Sequence, residues 1–174
     1  MTEKLDNYLV KKYPKIFIDR YEGMTKTAMC WGFEHGDGWF WILDQLCYSI
    51  QNYIDNNNEY RSDDKKISQV VATQVKEKFG TLSFYFNGGD EQIDGMVRFA
   101  ENMSANTCEF CGSTENIGFT KGWISTICKS CYDNSDDRIK NRIWSEHKNN
   151  LSYSDTIKAV RKIKLDKIDN IKKI

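Results

Sequence analysis

Four cysteines in two Cys-x-x-Cys pairs are the residues of this 174-residue chain whose types and spacing most clearly indicate chemistry. Cys108 and Cys111 form the first pair, Cys128 and Cys131 form the second, and sixteen residues separate the pairs. A two-residue spacer bends the chain so that both sulfurs of a pair point at one ion. Because this spacing is typical of four-thiolate zinc sites, we predict that the four cysteines bind one Zn²⁺ ion. Two disulfides or redox-active thiols, and buried cysteines without a metal, remain as alternatives.

The predicted ion has a structural role. Four thiolates fill every position of a tetrahedral zinc ion and leave none for water or substrate, which is the arrangement of structural sites. Gly112 follows the first pair, where a left-handed residue helps to close the turn. The segment GWISTI before the second pair has the composition of a strand, as in a zinc ribbon.

A second unusual stretch, CWGFEHGDGWFW at residues 30–41, interleaves glycines with aromatic residues ahead of a helix. Its polar residues Glu34, His35 and Asp37 are candidates for contacts to a small ligand or a partner, because free amides at a helix start can hold an anion. The favoured alternative is a tight turn whose aromatic residues pack into the core and whose Asp37 caps the following helix.

Aromatic residues at the start of that helix are candidates for a partner interface. Trp41, Asp44 and Tyr48 lie on the helix face away from its apolar stripe, and exposed aromatic residues mark interfaces. We therefore expect an exposed patch around Trp39, Trp41 and Tyr48, with packing against the sheet as the alternative.

The remaining cysteines and the histidines give little support for catalysis. Cys30 and Cys47 are most simply small core residues, and a second metal site formed by them with His35 has too few ligands. The only other histidine is His147. No His-x-Glu or Cys-x-Glu triplet stands ahead of Cys108 as zinc deaminases require, so the sequence favours a protein that is not an enzyme.

The charges of the chain argue against a protein that coats nucleic acid. Its 25 lysines and arginines are balanced by 25 acidic residues, whereas such proteins are strongly basic. Positive charge is concentrated in residues 151–174, with seven Lys/Arg against three Asp, and a docking amphipathic helix is the favoured interpretation there. A nucleic-acid-binding zinc ribbon is the second hypothesis, and it needs a basic face on residues 121–174.

Hydrophobic periodicity predicts an α+β fold, with an antiparallel β-hairpin-centred sheet packed by helices, an appended zinc ribbon and a helical C-terminus. The predicted helices span residues 3–13, 37–55, 90–105, 133–149 and 151–174. Asp90 is expected to cap the third of these helices. The expected parts are a core domain at 1–107, the ribbon with a following helix at 108–150, and a basic amphipathic helix at 151–174.

The hairpin is predicted from alternation along two arms, Val71, Thr73 and Val75 on one and Leu82, Phe84 and Phe86 on the other. A two-residue turn at Phe79 and Gly80 places both sets on one face. Because Phe disfavours a positive φ, a bulge at Gly80 is an equal alternative.

The start of the chain indicates its compartment. The segment MTEKLDNYLVKKYPKIF is charged and does not resemble a secretory signal, and no apolar run reaches the ~18–20 residues of a membrane span. Together with the Cys-x-x-Cys pairs, these features predict a reducing cytosol and no membrane partner.

Five segments between residues 11 and 132 carry a resemblance: KYPKIFIDR, CWGFEHGDGWFWILDQLC, TQVKEKFGTLSFYF, AENMSANTCEFCG and GWISTICKSC. In this order they resemble a widespread set of small phage, prophage and bacterial proteins with a C-terminal four-cysteine zinc ribbon. The resemblance implies a bacterial host cytosol and zinc on the four cysteines, and it implies no activity. Similar sequences often have Cys where His35 stands, which weakens the case that His35 is essential.

We therefore expect a zinc-ribbon binding protein of phage or accessory type that recognises a host or phage macromolecule. The expected partner is a protein, for example a host enzyme or defence system that it inhibits. A small-ligand binder or enzyme that uses residues 30–41 is the third hypothesis.

Overall fold

The structure, a computed structural model, describes residues 1–147, and the helix predicted over residues 151–174 lies outside them. The α-helices in the described part are α1 (Glu3–Lys12), α2 (Phe40–Asn58), α3 (Glu91–Ser104), α4 (Lys129–Asp133) and α5 (Asp137–Lys140). The strands are β1 (Phe33–Glu34), β2 (Val71–Lys78), β3 (Thr81–Asn87), β4 (Ile117–Thr120), β5 (Thr126–Cys128) and β6 (Trp144–Glu146).

A three-stranded sheet packed by helices forms the larger part of the fold, which confirms the α+β class. The strand order is β1-β2-β3, with β1 parallel to β2 and β2 antiparallel to β3. Helix α3 packs on β3 and on α2, so the core lies between the hairpin and this helix pair. Trp39, Phe17 and Leu9 are among its largest fully buried side chains.

The hairpin turns through two residues, Phe79 and Gly80, which have φ angles of 53° and 82°. Two successive positive φ angles are those of a type I′ turn, which matches the twist of the flanking strands. The irregularity lies in the first arm, where the register shifts between Ala72 and Gln74. Consequently Ala72 and Val75 are the buried residues of this arm, and the predicted unbroken alternation is wrong there.

The two helices with a predicted aspartate cap differ at their first residues. The side chain of Asp90 accepts hydrogen bonds from two amides in the first turn of α3, which confirms this cap. Asp37 does not cap α2, because that helix begins at Phe40 with no side-chain cap, so the prediction is wrong. Asp37 lies in a preceding 3₁₀ turn and accepts a hydrogen bond from the amide of Thr2 at 2.6 Å.

Residues 108–147, which we call the ribbon, form a second sheet of order β5-β4-β6 with antiparallel pairs. Its buried core consists of Ile117 and Ile127 together with two of the cysteines, Cys108 and Cys128. So little apolar surface provides weak stabilisation by itself, and small domains of this kind commonly depend on a bound metal.

The continuous helix predicted over residues 133–149 is wrong as far as the described part extends. Short helices give way to strand β6, in which the side chain of Trp144 lies against the backbone of Gly118. A Cβ at Gly118 would lie 2.5 Å from a ring carbon of Trp144. The indole nitrogen of Trp144 donates to the carbonyl of Ile127 at 3.1 Å. This tertiary packing outweighs the helical periodicity of the segment.

Among residues 1–147, none of the helices combines the length and the apolar character needed to cross a bilayer.

Candidate metal centre

The four cysteines of the two pairs converge in the ribbon. Cys108 and Cys111 lie in the turn that follows α3, Cys128 ends β5 and Cys131 lies in α4. Their Sγ atoms all lie within 4.8 Å of one another, and those of Cys111 and Cys128 are 3.7 Å apart. A tetrahedral ion with Zn–S bonds of ~2.3 Å needs sulfurs about 3.8 Å apart. The four thiols are free, and they are close enough to hold one metal ion.

Backbone hydrogen bonds fix both cysteine turns. The amide of Cys131 donates to the Sγ atom of Cys128 at 3.4 Å, a contact that orients the sulfur. The amide of Gly112 donates to the carbonyl of Cys108 at 2.9 Å, and Gly112 has a φ of 76°. The left-handed glycine predicted after the first pair is therefore confirmed.

Burial of the thiols shows why a cation suits this cluster. Burial raises the pKa of the Cys108 thiol to about 11, and burial also raises the pKa of Cys131. Metal ligation requires thiolates, so a divalent ion would offset both the burial and the repulsion among the sulfurs. Sulfur donors suit Zn²⁺, whereas Mg²⁺ and Ca²⁺ prefer oxygen. Binding would release protons and would weaken as the pH falls.

The glycine-aromatic loop at residues 30–41 packs directly on the first cysteine turn. The amide of Gly38 donates to the carbonyl of Glu109 at 2.8 Å, and the amide of Gly36 donates to Oε1 of Glu109 at 3.1 Å. A Cβ atom at Gly38 would overlap the carbonyl oxygen of Cys108. The loop glycines therefore allow a close backbone approach to the cysteine turn.

Trp39 completes this contact from inside the core. It is fully buried, and its indole nitrogen donates to the carbonyl of Thr107 at 2.9 Å. The expectation that Trp39 belongs to an exposed aromatic patch is therefore wrong. Glu109 is also buried, and burial raises the pKa of its carboxyl even though Gly36 donates a hydrogen bond to it.

The other polar candidates of the loop have separate partners. Gln74 donates to Oε2 of Glu34 at 3.0 Å on the surface, and Asp37 accepts its hydrogen bond from the amide of Thr2. His35 is buried with Nδ1 2.8 Å from the next carbonyl oxygen, and burial lowers its pKa to about 4. Its Nε2 atom has no hydrogen-bond partner within residues 1–147. Glu34, His35 and Asp37 thus contact three different groups, and a role for them in binding a ligand or partner stays a prediction.

The outer face of α2 is only partly as expected. Trp41 is 66% exposed and Tyr48 is also exposed, and a role for either in partner binding stays a prediction. Asp44 is buried, which corrects its expected exposure. Its carboxylate accepts hydrogen bonds from Lys12 Nζ at 2.7 Å and from Tyr13 Oη at 2.9 Å, so it attaches α1 to α2.

A second metal site at Cys30, His35 and Cys47 is not formed. Among residues 1–147, only the cluster at Cys108 brings three or more metal-ligating side chains together. Cys47 is fully buried in the core, as expected, and burial raises the pKa of its thiol.

Sequence reasoning missed an apolar groove between α2 and α3. Phe99 of α3 is 68% exposed and lies across this groove from Trp41. The α2–α3 groove has a volume of about 260 Å³ and is lined by Trp41, Ile42, Gln45, Leu46, Ser49, Met96, Phe99, Ala100 and Met103. The available signal was a second apolar row on α3 at helical spacing, beside the buried one.

Comparison with protein-family models, with curated proteins and with solved structures finds no match to this chain. The phage or bacterial origin implied by the resemblance and the cytosolic location therefore stay predictions.

Proposed function

We propose that this chain is a non-enzymatic recognition protein that carries one structural Zn²⁺ ion and binds a protein partner in the α2–α3 groove. The observation that carries this proposal is the pair Trp41 and Phe99, two large aromatic side chains that are each about two-thirds exposed on facing helices. Contiguous exposed apolar surface on a folded protein marks a binding site.

The metal cluster supports a structural role for zinc. All four donors would be cysteine sulfurs, so a tetrahedral ion would have no position left for a reacting water. Two of the cysteines, Cys108 and Cys128, belong to the buried core of the ribbon, in which Ile117 and Ile127 are the only aliphatic residues among those described. Metal binding there would contribute folding free energy that the small core does not supply.

The shape of the groove suits an amphipathic helix of the partner. Helices α2 and α3 run antiparallel. Trp41 at the start of α2 and Met103 at the end of α3 line the same groove. Near the other end of the pair, the hydroxyl of Tyr53 in α2 donates a hydrogen bond to Asp90, the residue before α3. Two antiparallel helices present parallel ridges between which a third helix can pack. Aromatic and methionine side chains are enriched at protein interfaces, and methionine adapts to varied partners.

The chemistry of the lining favours a protein over nucleic acid at this site. Among residues 1–147, none of those that line the groove is charged, so they offer no ionic contacts to phosphates. The implied origin directs the search to bacterial extracts, with a host enzyme or defence protein as the kind of target that an accessory protein would bind.

Site-specific crosslinking tests this proposal. The photoreactive residue p-benzoylphenylalanine is placed at Phe99 in the full chain, which is then irradiated in bacterial extract and the crosslinked protein is identified. The matched control carries the same residue at Tyr60, which is exposed in the loop after α2. We expect one partner to crosslink from position 99 and not from position 60.

Affinity measurements with the purified partner complete the test. Phe99→Ala and Trp41→Ala are each expected to weaken binding by about tenfold or more, as interface aromatic residues do, while Tyr60→Ala leaves it unchanged. Crosslinking of position 99 only to residues 151–174 of the same chain, or to a second copy, would contradict a partner site. So would an affinity that both groove variants retain.

A further inference from the structure

The outer face of the hairpin carries aromatic and basic side chains side by side. Ala72, Val75 and other residues of β2 and β3 turn inward, so Lys76, Lys78 and Tyr85 lie on the opposite face. Lys76 Nζ is 5.8 Å from the centre of the Tyr85 ring, and Lys78 Nζ is 3.4 Å from Tyr85 Oη. These contacts place positive charge next to an exposed aromatic ring.

This face continues past the hairpin turn into a cleft between the hairpin and the ribbon. The cleft has a volume of about 390 Å³ and is lined by Glu77, Lys78, Phe79, Gly122, Trp123 and Ile124. Phe79 is 76% exposed and Trp123 is 69% exposed. Lys78 Nζ lies 5.8 Å from the centre of the Phe79 ring. We call the outer face of β2–β3 and this cleft together the hairpin–ribbon surface.

Phe79 occupies a backbone conformation that disfavours it. Its φ of 53° is in the left-handed region, where Gly and Asn are common and a bulky side chain is unfavourable. The ring is exposed, so burial in the core does not compensate for this conformation. A residue that is held in an unfavourable conformation and displayed to solvent indicates a functional constraint.

The local charge differs from that of the rest of the described chain. Residues 1–147 contain 17 Lys/Arg and 22 Asp/Glu, yet the surface presents Lys76, Lys78, Lys121 and Arg142. Lys121 is the residue before Gly122, which lines the cleft, and Arg142 Nη1 is 3.4 Å from the carbonyl oxygen of Trp123.

Glu34 and Glu77 are acidic residues at this surface in the described part of the chain, and each has a partner of its own. Glu34 accepts a hydrogen bond from Gln74, and Glu77 accepts one from the amide of Gly80 at 2.6 Å. Within residues 1–147, the three lysines and the arginine of this surface therefore outnumber these two carboxylates.

We propose that the hairpin–ribbon surface binds single-stranded nucleic acid. Unpaired bases would stack on Phe79, Tyr85 and Trp123, while the lysines and the arginine contact the phosphates. Alternating aromatic rings and cations are the features by which proteins bind single strands without sequence preference. A duplex hides the faces of its bases, so the same rings offer it no stacking. The site shares no residue with the α2–α3 groove and is independent of the function proposed for that groove.

Fluorescence anisotropy with the zinc-loaded full chain tests the site. The probes are labelled single strands of about 15 nucleotides, oligothymidylate and oligouridylate, at about 50 mM salt where phosphate contacts are strong. We expect saturable binding that Phe79→Ala or Trp123→Ala each weakens by about tenfold. Phe99→Ala is the matched control, since it removes an equally exposed aromatic ring from the α2–α3 groove, and it should leave binding unchanged.

A second variant separates binding from folding. Phe79→Asn relieves the unfavourable backbone conformation, so the melting temperature should rise while binding to the single strand weakens. A residue with a purely structural role would not show opposite changes in these two quantities.

The salt dependence identifies the phosphate contacts. Lys78→Gln should reduce the slope of log affinity against log salt by about 0.7, the value for one contact with a single strand. Absence of saturable binding to either strand would overturn the proposal, as would full affinity in both Phe79→Ala and Trp123→Ala. Equal affinity for a duplex, or displacement of the strand by an oligoglutamate peptide at equal concentration, would also overturn it.

Discussion

The indole nitrogen of Trp39 donates a hydrogen bond of 2.9 Å to the carbonyl of Thr107, the residue that immediately precedes the first cysteine of the metal cluster. The amide of Gly38 adds a second bond, 2.8 Å long, to the carbonyl of Glu109 within the cysteine turn. Two segments that look unrelated along the chain therefore pack as one unit. The glycine-aromatic loop supports the cluster on the side facing the core, and the metal would stabilise both.

Gly38→Ala should disturb this unit. The added Cβ would overlap the carbonyl oxygen of Cys108, a backbone atom that cannot move without shifting the cysteine turn. We expect a loss of about 1–3 kcal/mol in the free energy of unfolding, as overpacking usually costs, and a weaker affinity for zinc. Denaturant unfolding and competition with a chromophoric chelator measure the two effects.

Gly95→Ala is the matched control. Gly95 lies in α3, where an added Cβ atom would enter open space, and alanine favours a helix by roughly 0.5–1 kcal/mol over glycine. This variant should be slightly more stable and should bind zinc normally. If Gly38→Ala also retained full stability and zinc affinity, the close packing of the loop on the cysteine turn would be refuted.

Trp39→Phe should be costly although the substitution keeps an aromatic ring. It leaves the carbonyl of Thr107 buried without its donor, and such a loss costs about 1–3 kcal/mol. Trp41→Phe, on the exposed side of the same helix start, should change the free energy of unfolding by less than about 0.5 kcal/mol. Equal effects of the two variants in denaturant unfolding would show that the hydrogen bond to Thr107 is unimportant.

Removal of the metal should increase hydrogen exchange in the glycine-aromatic loop as well as in the ribbon. Because the amides of Gly36 and Gly38 both donate to Glu109, their protection from hydrogen exchange depends on the cysteine turn. We predict that a strong chelator increases exchange at these two amides together with those of the ribbon. Amides in the middle of α2 should change much less. Faster exchange confined to the ribbon would contradict the coupling.

The acid stability of the protein should depend on His35. Burial lowers its pKa from 6.5 to about 4, so between these pH values the unfolded chain binds a proton that the folded chain does not. The free energy of unfolding should therefore fall as the pH drops from about 6.5 to about 4, and this contribution should be constant below that range. The total change from this residue is roughly 3 kcal/mol.

His35→Gln removes the titrating group and should flatten this part of the pH profile. Denaturant unfolding of both proteins at saturating zinc measures it, and the difference between the two curves isolates His35 because acid weakens the metal cluster in both. Parallel curves for the two proteins would rule out a contribution from the buried imidazole.

Features that depend on neighbours in the chain could be predicted from the sequence. The spacing within each cysteine pair, the cap at Asp90 and the turn at Phe79 and Gly80 all follow from a few consecutive residues. The helix spacing of α2 likewise predicted its buried stripe, apart from Asp44, whose partners lie in α1.

Features that depend on distant contacts could not be predicted. Trp39 was expected in an exposed aromatic patch, but it is buried with its indole nitrogen bonded to the carbonyl of Thr107, 68 residues away in the sequence. Asp37 was expected to cap α2, but its carboxylate accepts from the amide of Thr2 instead. Trp144 has a helical pattern, yet a strand partner and the bare backbone of Gly118 determine its conformation. The groove at Phe99 was missed because one helix can carry both a buried and an exposed apolar row.

X-ray absorption at the zinc edge of the purified full-length protein tests the structural metal site most directly. We predict one zinc ion per chain, surrounded by four sulfur atoms at ~2.3 Å with no lighter ligand. A protein that contains no zinc, or a zinc ion with an oxygen or nitrogen atom in place of one sulfur, would contradict a closed structural site at Cys108, Cys111, Cys128 and Cys131.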